Sequence, residues 1–291
     1  MTMRTLLSAF LLFTSLVFAS DRFLKLDGAR VHYQSYGKGK QAVVFIHGWT
    51  CDLTFWRGQE PVYTAHRSLL VDLPGHGESD KPQNAYPTEF FARGIDAAMR
   101  DAGVEQAVLI GHSLGGPIAH AFLRLFPQKV AAIVLVDSSI AAPALPLRNS
   151  RQQAERARLQ LAQLQQRAAN LRGPAGEQNF LRSVENMFSD RTSAELRNQI
   201  RTAMLATHEH VRAAAVTSVS KLAPLPLDTN YNLPAIAIQA ASKGVAARYQ
   251  TMRKMLPQLQ LEKWEKYGHF LMMEDPERFN RSLERFLASL P

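Results

Sequence analysis

From residue 41 to residue 137 the chain alternates unbroken apolar runs with segments whose apolar residues recur at helical spacing. Gln41-Ala-Val-Val-Phe-Ile46, Ser68-Leu-Leu-Val-Asp72, the run ending at Ile110 and Val130-Ala-Ala-Ile-Val-Leu-Val-Asp137 show no polar alternation. Such short continuous runs predict strands buried on both faces. Between them, residues 88–101 place Phe91, Ile95, Ala98 and Met99 on one helical stripe. Strands alternating with helices at this spacing imply a parallel sheet covered on both sides. Upstream, residues 23–28 and 30–37 alternate apolar and polar positions around Asp27-Gly28, which predicts a hairpin at a sheet edge.

After Asp137 the rhythm changes. Pro143 and Pro146 interrupt the chain, and residues 140–227 carry no strand pattern. Ala154, Ala157, Leu161, Leu164, Ala168 and Leu171 fall at steps of three and four, and Phe180, Val184, Met187 and Phe188 form a second stripe. Thr192-Ser-Ala-Glu195 reads as a capping box opening a third helix that buries Leu196, Ile200 and Met204. Strand patterns resume at 233–239 and 259–264 with a helix at 246–256 between them. Asp275-Pro276-Glu277 then opens a closing helix that buries Phe279, Leu283, Phe286 and Leu287. The expected class is α/β: a mostly parallel, eight-stranded twisted sheet with helices on both faces. Its core is 20–139 and 228–291, with 140–227 inserted as a helical cap.

Composition narrows the setting. Arg4 precedes an almost wholly apolar stretch from Leu6 to Phe18, and Val17-Phe18-Ala19 offers small residues where signal peptidase reads. Residues 1–19 are therefore expected to be a signal peptide cleaved near Ala19-Ser20, giving an exported protein; an uncleaved N-terminal anchor is the alternative. Cys51 is the single cysteine, so the fold relies on its core and no intrachain disulfide is available. A formal charge of +9 arises without a dense Lys/Arg run or interleaved aromatics. It predicts no nucleic-acid partner and at most weak association with anionic surfaces.

The candidate chemistry sits where one apolar run ends, in Gly111-His112-Ser113-Leu114-Gly115. A serine attacks acyl carbons only when it projects beside a base and anion-binding N–H groups, and a sharp strand-to-helix turn supplies that projection. Small residues at Gly111 and Gly115 let strand and helix approach. His47-Gly48-Trp49, Asp72-Leu-Pro-Gly-His-Gly-Glu-Ser79 and Gly268-His269-Phe270 each follow or adjoin a predicted strand. Taken in this order, these motifs resemble the α/β-hydrolase fold family over residues 23–139 and 228–291. The resemblance implies Ser113 as nucleophile, His269 as general base, and the backbone N–H groups of Trp49 and Leu114 as oxyanion hole. His112, Cys51 and Phe270 are candidates for the pocket wall, whereas His47 and His76 are expected to hold loops. No cofactor is implied. No metal is expected either, since His208 and His210 point apart at i,i+2 and lack a third ligand.

One position departs from the family. Its acid follows the strand after the cap, where this chain has Lys243, and no carboxylate lies between Asp228 and Glu262. Three readings follow: Asp137 at the end of the preceding strand serves as the acid, a weak Ser–His dyad operates, or the chain binds a small molecule without turning it over. The serine at the elbow points away from the epoxide-hydrolase and dehalogenase branches, which resemble this chain but use Asp there. The expected substrate is a small carboxylic ester, thioester or lactone; carbon–carbon bond hydrolysis and aminopeptidase-like activity are alternatives on the same machinery.

Overall fold

The apolar runs become neighbouring strands of one sheet. The structure, a computed structural model, describes residues 19–140, 150–218, 222, 229–242 and 244–291. The signal-peptide expectation and Lys243 thus lie outside the described residues. The strands are β1 (Ser20–Leu26), β2 (Ala29–Tyr36), β3 (Gln41–Ile46), β4 (Ser68–Val71), β5 (Gln106–His112), β6 (Val130–Val136), β7 (Ala235–Ala240) and β8 (Leu259–Trp264). Their order across the sheet is β1-β2-β4-β3-β5-β6-β7-β8. Only β2 runs against its neighbours, and the pairs from β4 through β8 are parallel. Leu26 pairs with Ala29 across Asp27-Gly28, both of which have positive φ, as a two-residue hairpin turn requires.

Helices cover both faces. They are α1 (Glu60–Ala65), α2 (Thr88–Asp101), α3 (Gly115–Leu125), α4 (Ser150–Asn170), α5 (Gly176–Glu185), α6 (Ala194–Leu205), α7 (Glu209–Val216), α8 (Val245–Met255), α9 (Leu271–Glu274) and α10 (Pro276–Ala288), with a 3-10 turn at Leu53–Gln59 before α1. Alternation along the strands sorts the core into two layers. Val44, Ile46, Leu109, Ile133 and Leu135 join the layer under α2 and α3. Val43, Phe45, Ile110, Val134 and Val136 join the layer with Trp56, Phe270 and α10. Both layers are apolar, which is why the strand sequences show no polar alternation.

Four helices, α4 to α7, occupy the described part of the expected cap, and two details there differ from the sequence reading. The cap of α6 is Ser193, whose hydroxyl accepts the Leu196 N–H at 3.1 Å. Thr192 is drawn instead to Glu274 by a 2.5 Å hydrogen bond. Along the expected α4 stripe Leu161 is 46% exposed, and Leu171, just past the helix end, is 5% exposed. Leu161 faces solvent, so the periodicity there does not become core.

Beneath β2 and β4, His32 Nδ1 lies 2.7 Å from Asp72 Oδ2, and both side chains are buried. Asp72 also accepts the N–H groups of Leu53 and Glu78, pinning two loops that flank the sheet top. Burial lowers the affinity of His32 for a proton, but the hydrogen bond and charge of Asp72, with the Asp21 contact at Nε2 and the charge of Glu78, together more than offset this and raise its pKa above 6.5. A raised histidine pKa contributes stability that is complete below the unfolded value and lost as pH climbs through the folded one. His32→Gln is therefore expected to lose about 3 kcal/mol of unfolding free energy in mildly acidic buffer. The gap to wild type should narrow as pH rises through the raised pKa, measured by urea unfolding across pH 5–9.

Candidate active site

Ser113 sits between β5 and α3 at φ 52°, a left-handed conformation that a residue other than glycine adopts only where the surroundings enforce it. The enforcement is visible. Ser113 N–H donates to Val136 O at 3.1 Å, and Ser138 Oγ–H donates to Ser113 O. A Cβ on Gly111 would lie 2.5 Å from Gly115 O, and one on Gly115 would collide with Ile46 O. The elbow thus needs both glycines for the close approach of strand, helix and the neighbouring β3.

Asp137 follows the last residue of β6 and also has positive φ, 39°. Its backbone N–H donates to Ile238 O at 2.8 Å, and its Oδ1 accepts the Ala240 N–H at 3.1 Å. The other oxygen, Oδ2, lies 2.5 Å from His269 Nδ1. An ionised carboxylate only accepts, so Nδ1 carries the hydrogen and Nε2 is left as the basic nitrogen. Ser113, Asp137 and His269 line a single cavity of about 730 Å³. Three strand ends therefore converge at the carboxyl edge of the sheet, where open α/β sheets place their ligands.

Trp49 and Leu114 line the same cavity, and no hydrogen bond among the described residues uses the backbone N–H of either. The loop after β3 that holds Trp49 is fastened to the cap: Trp49 Nε1–H donates to Arg212 O at 3.0 Å, and its ring meets Phe180 edge-on. His47 accepts the Leu73 N–H at Nε2 and donates from Nδ1 to Gly48 O, which fixes a neutral tautomer and ties the two loops together. Burial lowers its pKa, consistent with that neutral form.

The α/β hydrolase fold profile matches residues 41–276. The chain belongs to the α/β-hydrolase fold family. A dihydrolipoyllysine-residue acetyltransferase component of the acetoin cleaving system of Cupriavidus necator is 38% identical over 121 residues, 41% of this chain and 32% of that one. A putative 2-succinyl-6-hydroxy-2,4-cyclohexadiene-1-carboxylate synthase of Bacillus subtilis is 27% identical, covering 91% of this chain and 97% of its own. A 2-hydroxy-6-oxononadienedioate/2-hydroxy-6-oxononatrienedioate hydrolase of Cupriavidus pinatubonensis is also 27% identical, over 89% of this chain and 91% of its own. Among solved structures, the enol-lactonase from Burkholderia xenovorans LB400 superposes with a TM-score of 0.76 at 18% identity, over 92% of this chain and 100% of that one. That last likeness is one of fold.

This family member places the three pocket candidates away from the main cavity. His112, Cys51 and Phe270 line a separate void of about 20 Å³ that Ser113 and His269 also touch, and all three are buried. They pack behind the serine, outside the lining of the main cavity. His112 Nε2–H donates to His269 O at 2.9 Å. Burial, reinforced by the neighbouring His269, holds the His112 pKa well below 6.5, so the ring stays neutral. Burial likewise raises the Cys51 pKa well above 9.0, leaving a thiol that donates to Trp49 O at 3.4 Å. Among the described residues no cluster suited to a metal ion occurs, and His208 and His210 belong to the start of α7.

Sequence reasoning places Glu274 among the carboxylates near the sheet top but gives it no role. Its carboxylate accepts Gly268 N–H at 3.0 Å, the Ser189 hydroxyl at 3.0 Å and the Thr192 hydroxyl at 2.5 Å. Met187 O meanwhile accepts His269 N–H at 2.9 Å. The histidine loop is therefore clamped to the cap segment between α5 and α6 on one side and to His112 on the other. Three donors converge on the two oxygens, so Glu274→Gln turns an amide N–H against a donor. Small misplacements of reacting groups cost about 100-fold. We expect Glu274→Gln to lower kcat by about tenfold to 100-fold with KM little changed, read from steady-state ester hydrolysis. An unaltered kcat would show that the clamp does not set the position of His269.

Proposed function

We propose that this α/β-hydrolase is a serine hydrolase that cleaves a small carboxylic ester, thioester or lactone through an acyl-enzyme on Ser113. The 2.5 Å contact between His269 Nδ1 and Asp137 Oδ2, at the cavity that also holds Ser113, carries the reading. His269 Nε2 takes the Ser113 proton as Oγ bonds to the acyl carbon, and the oxygen that becomes negative is met by the N–H groups of Trp49 and Leu114. The leaving alcohol departs with the proton from His269. Water, deprotonated by the same nitrogen, then releases the acid and restores Ser113. Asp137 orients the imidazole and stabilises its charged form. The competing reading of an inactive binding protein starts from the missing acid after β7, and the contact of Asp137 with His269 supports the hydrolase reading over it.

Hydrolysis of p-nitrophenyl esters by the purified protein tests the reading. Saturable turnover with acyl chains of two to eight carbons is expected; folded protein that binds these esters without releasing nitrophenol would contradict it. The relative named for hydrolysing 2-hydroxy-6-oxononadienedioate favours a second reading, carbon–carbon bond hydrolysis. That reading predicts cleavage of a vinylogous 1,5-diketone with esters as poor substrates.

A further inference from the structure

A smaller cavity of about 260 Å³ adjoins the reaction cavity, and Trp49, Arg167 and Asn186 line both. Its remaining polar wall comes from α4 and α5, chiefly Asn170, Asn179 and Arg182. Arg248 lines the larger cavity as well, held by Ser242 at 3.2 Å. The two linings together contain three guanidinium groups. Among the described residues their one carboxylate is Asp137, which is already committed to His269 and Ala240.

The distribution of acids in the cap sharpens the contrast. Arg197 and Arg201 of α6 are both paired with Glu185, at 2.7 and 2.6 Å. No ion pair of the described structure involves Arg167, Arg182 or Arg248. Arg182 is nevertheless held in place. Its Nη2 donates to Asn179 Oδ1, and Asn179 Nδ2 donates to Asn170 O at 2.8 Å. One edge of the guanidinium is thus fixed while its other N–H groups remain for a ligand. Unneutralised guanidinium groups in a cleft focus the field on an anion and suit the planar fork of a carboxylate.

We propose that the side cavity is a subsite for a carboxylate carried by the substrate, bound by Arg167 and Arg182. This rests on the hydrolase reading for the bond that is cleaved, but its recognition chemistry is separable. The reaction cavity then holds the acyl carbon at Ser113 while Trp49 divides it from the charged end. Arg248, in the lining of the reaction cavity, adds to the attraction without belonging to the subsite.

Three esters test this. p-Nitrophenyl hemiglutarate carries the carboxylate on the acyl group, 3-carboxy-4-nitrophenyl pentanoate on the leaving alcohol, and p-nitrophenyl pentanoate carries none. One charged ester should exceed the neutral one in kcat/KM by about tenfold or more at low salt, with the advantage shrinking as salt screens it. In the Arg167→Gln/Arg182→Gln variant that ratio should collapse towards one. A neutral ester preferred by wild type, or a ratio unchanged in the variant, would overturn the subsite. Should no ester be hydrolysed, the hydrolase reading alone fails, and calorimetry with glutarate then decides the subsite. Glutarate binding that weakens about tenfold in the variant supports it; absence of binding to wild type overturns it.

Discussion

Asp137→Asn is expected to lower kcat for ester hydrolysis by about 10⁴ while the melting temperature moves by only a few degrees. The size of the effect follows from tautomers. Asp137 accepts from Ala240 N–H with one oxygen and from His269 Nδ1–H with the other. Asparagine retains a single acceptor oxygen, which can keep the Ala240 contact, so its NH₂ faces the imidazole. The ring then answers with an unprotonated Nδ1 and a protonated Nε2, and the nitrogen that should take the serine proton already has one. The backbone bond to Ile238 and the volume of the side chain are unchanged, so stability is largely preserved. Turnover equal to wild type would remove Asp137 from the mechanism and return the dyad to consideration.

Ser113→Ala is expected to cost more, about 10⁶ in kcat, because it deletes the atom that forms the covalent intermediate. Residues that act as a unit do not add. His269→Ala should cost nearly as much alone, and the double variant little more than either single one. Residual catalysis over water is expected from the N–H groups of Trp49 and Leu114, which neither substitution touches. Alanine at φ 52° bears the same backbone strain as serine, so the fold should survive. Losses that simply multiply in the double variant would show that Ser113 and His269 do not work as one device.

The sheet was readable because strands covered on both faces write continuous apolar runs, and β3, β5 and β6 do so plainly. Ser113 and His269 were readable because glycines and strand ends fix their setting locally. Asp137 was readable as the acid in only one of three open readings. Its pairing with His269 depends on how β6, β7 and β8 lie side by side, registers that hydrophobic pattern alone does not specify. Glu274 escaped for a similar reason, since its partners Ser189 and Thr192 are more than eighty residues away in the cap. The mistaken cap of α6 shows the same competition. Thr192 satisfies the local signature, but a distant carboxylate takes its hydroxyl and Ser193 caps the helix instead. His112, Cys51 and Phe270 share a small void with Ser113. Which side of the sheet top they face required the three-dimensional packing against Trp56 and Phe55.

A fluorophosphonate phosphonylates only an activated serine, and so reads whether His269 and Asp137 make Ser113 a reactive nucleophile. Tryptic mass spectrometry of the treated protein should find one adduct, on Ser113, formed rapidly in wild type. The adduct should form far more slowly in Asp137→Asn and be absent in Ser113→Ala. Folded wild-type protein that takes up no probe, or an adduct that persists in Ser113→Ala, would contradict the account.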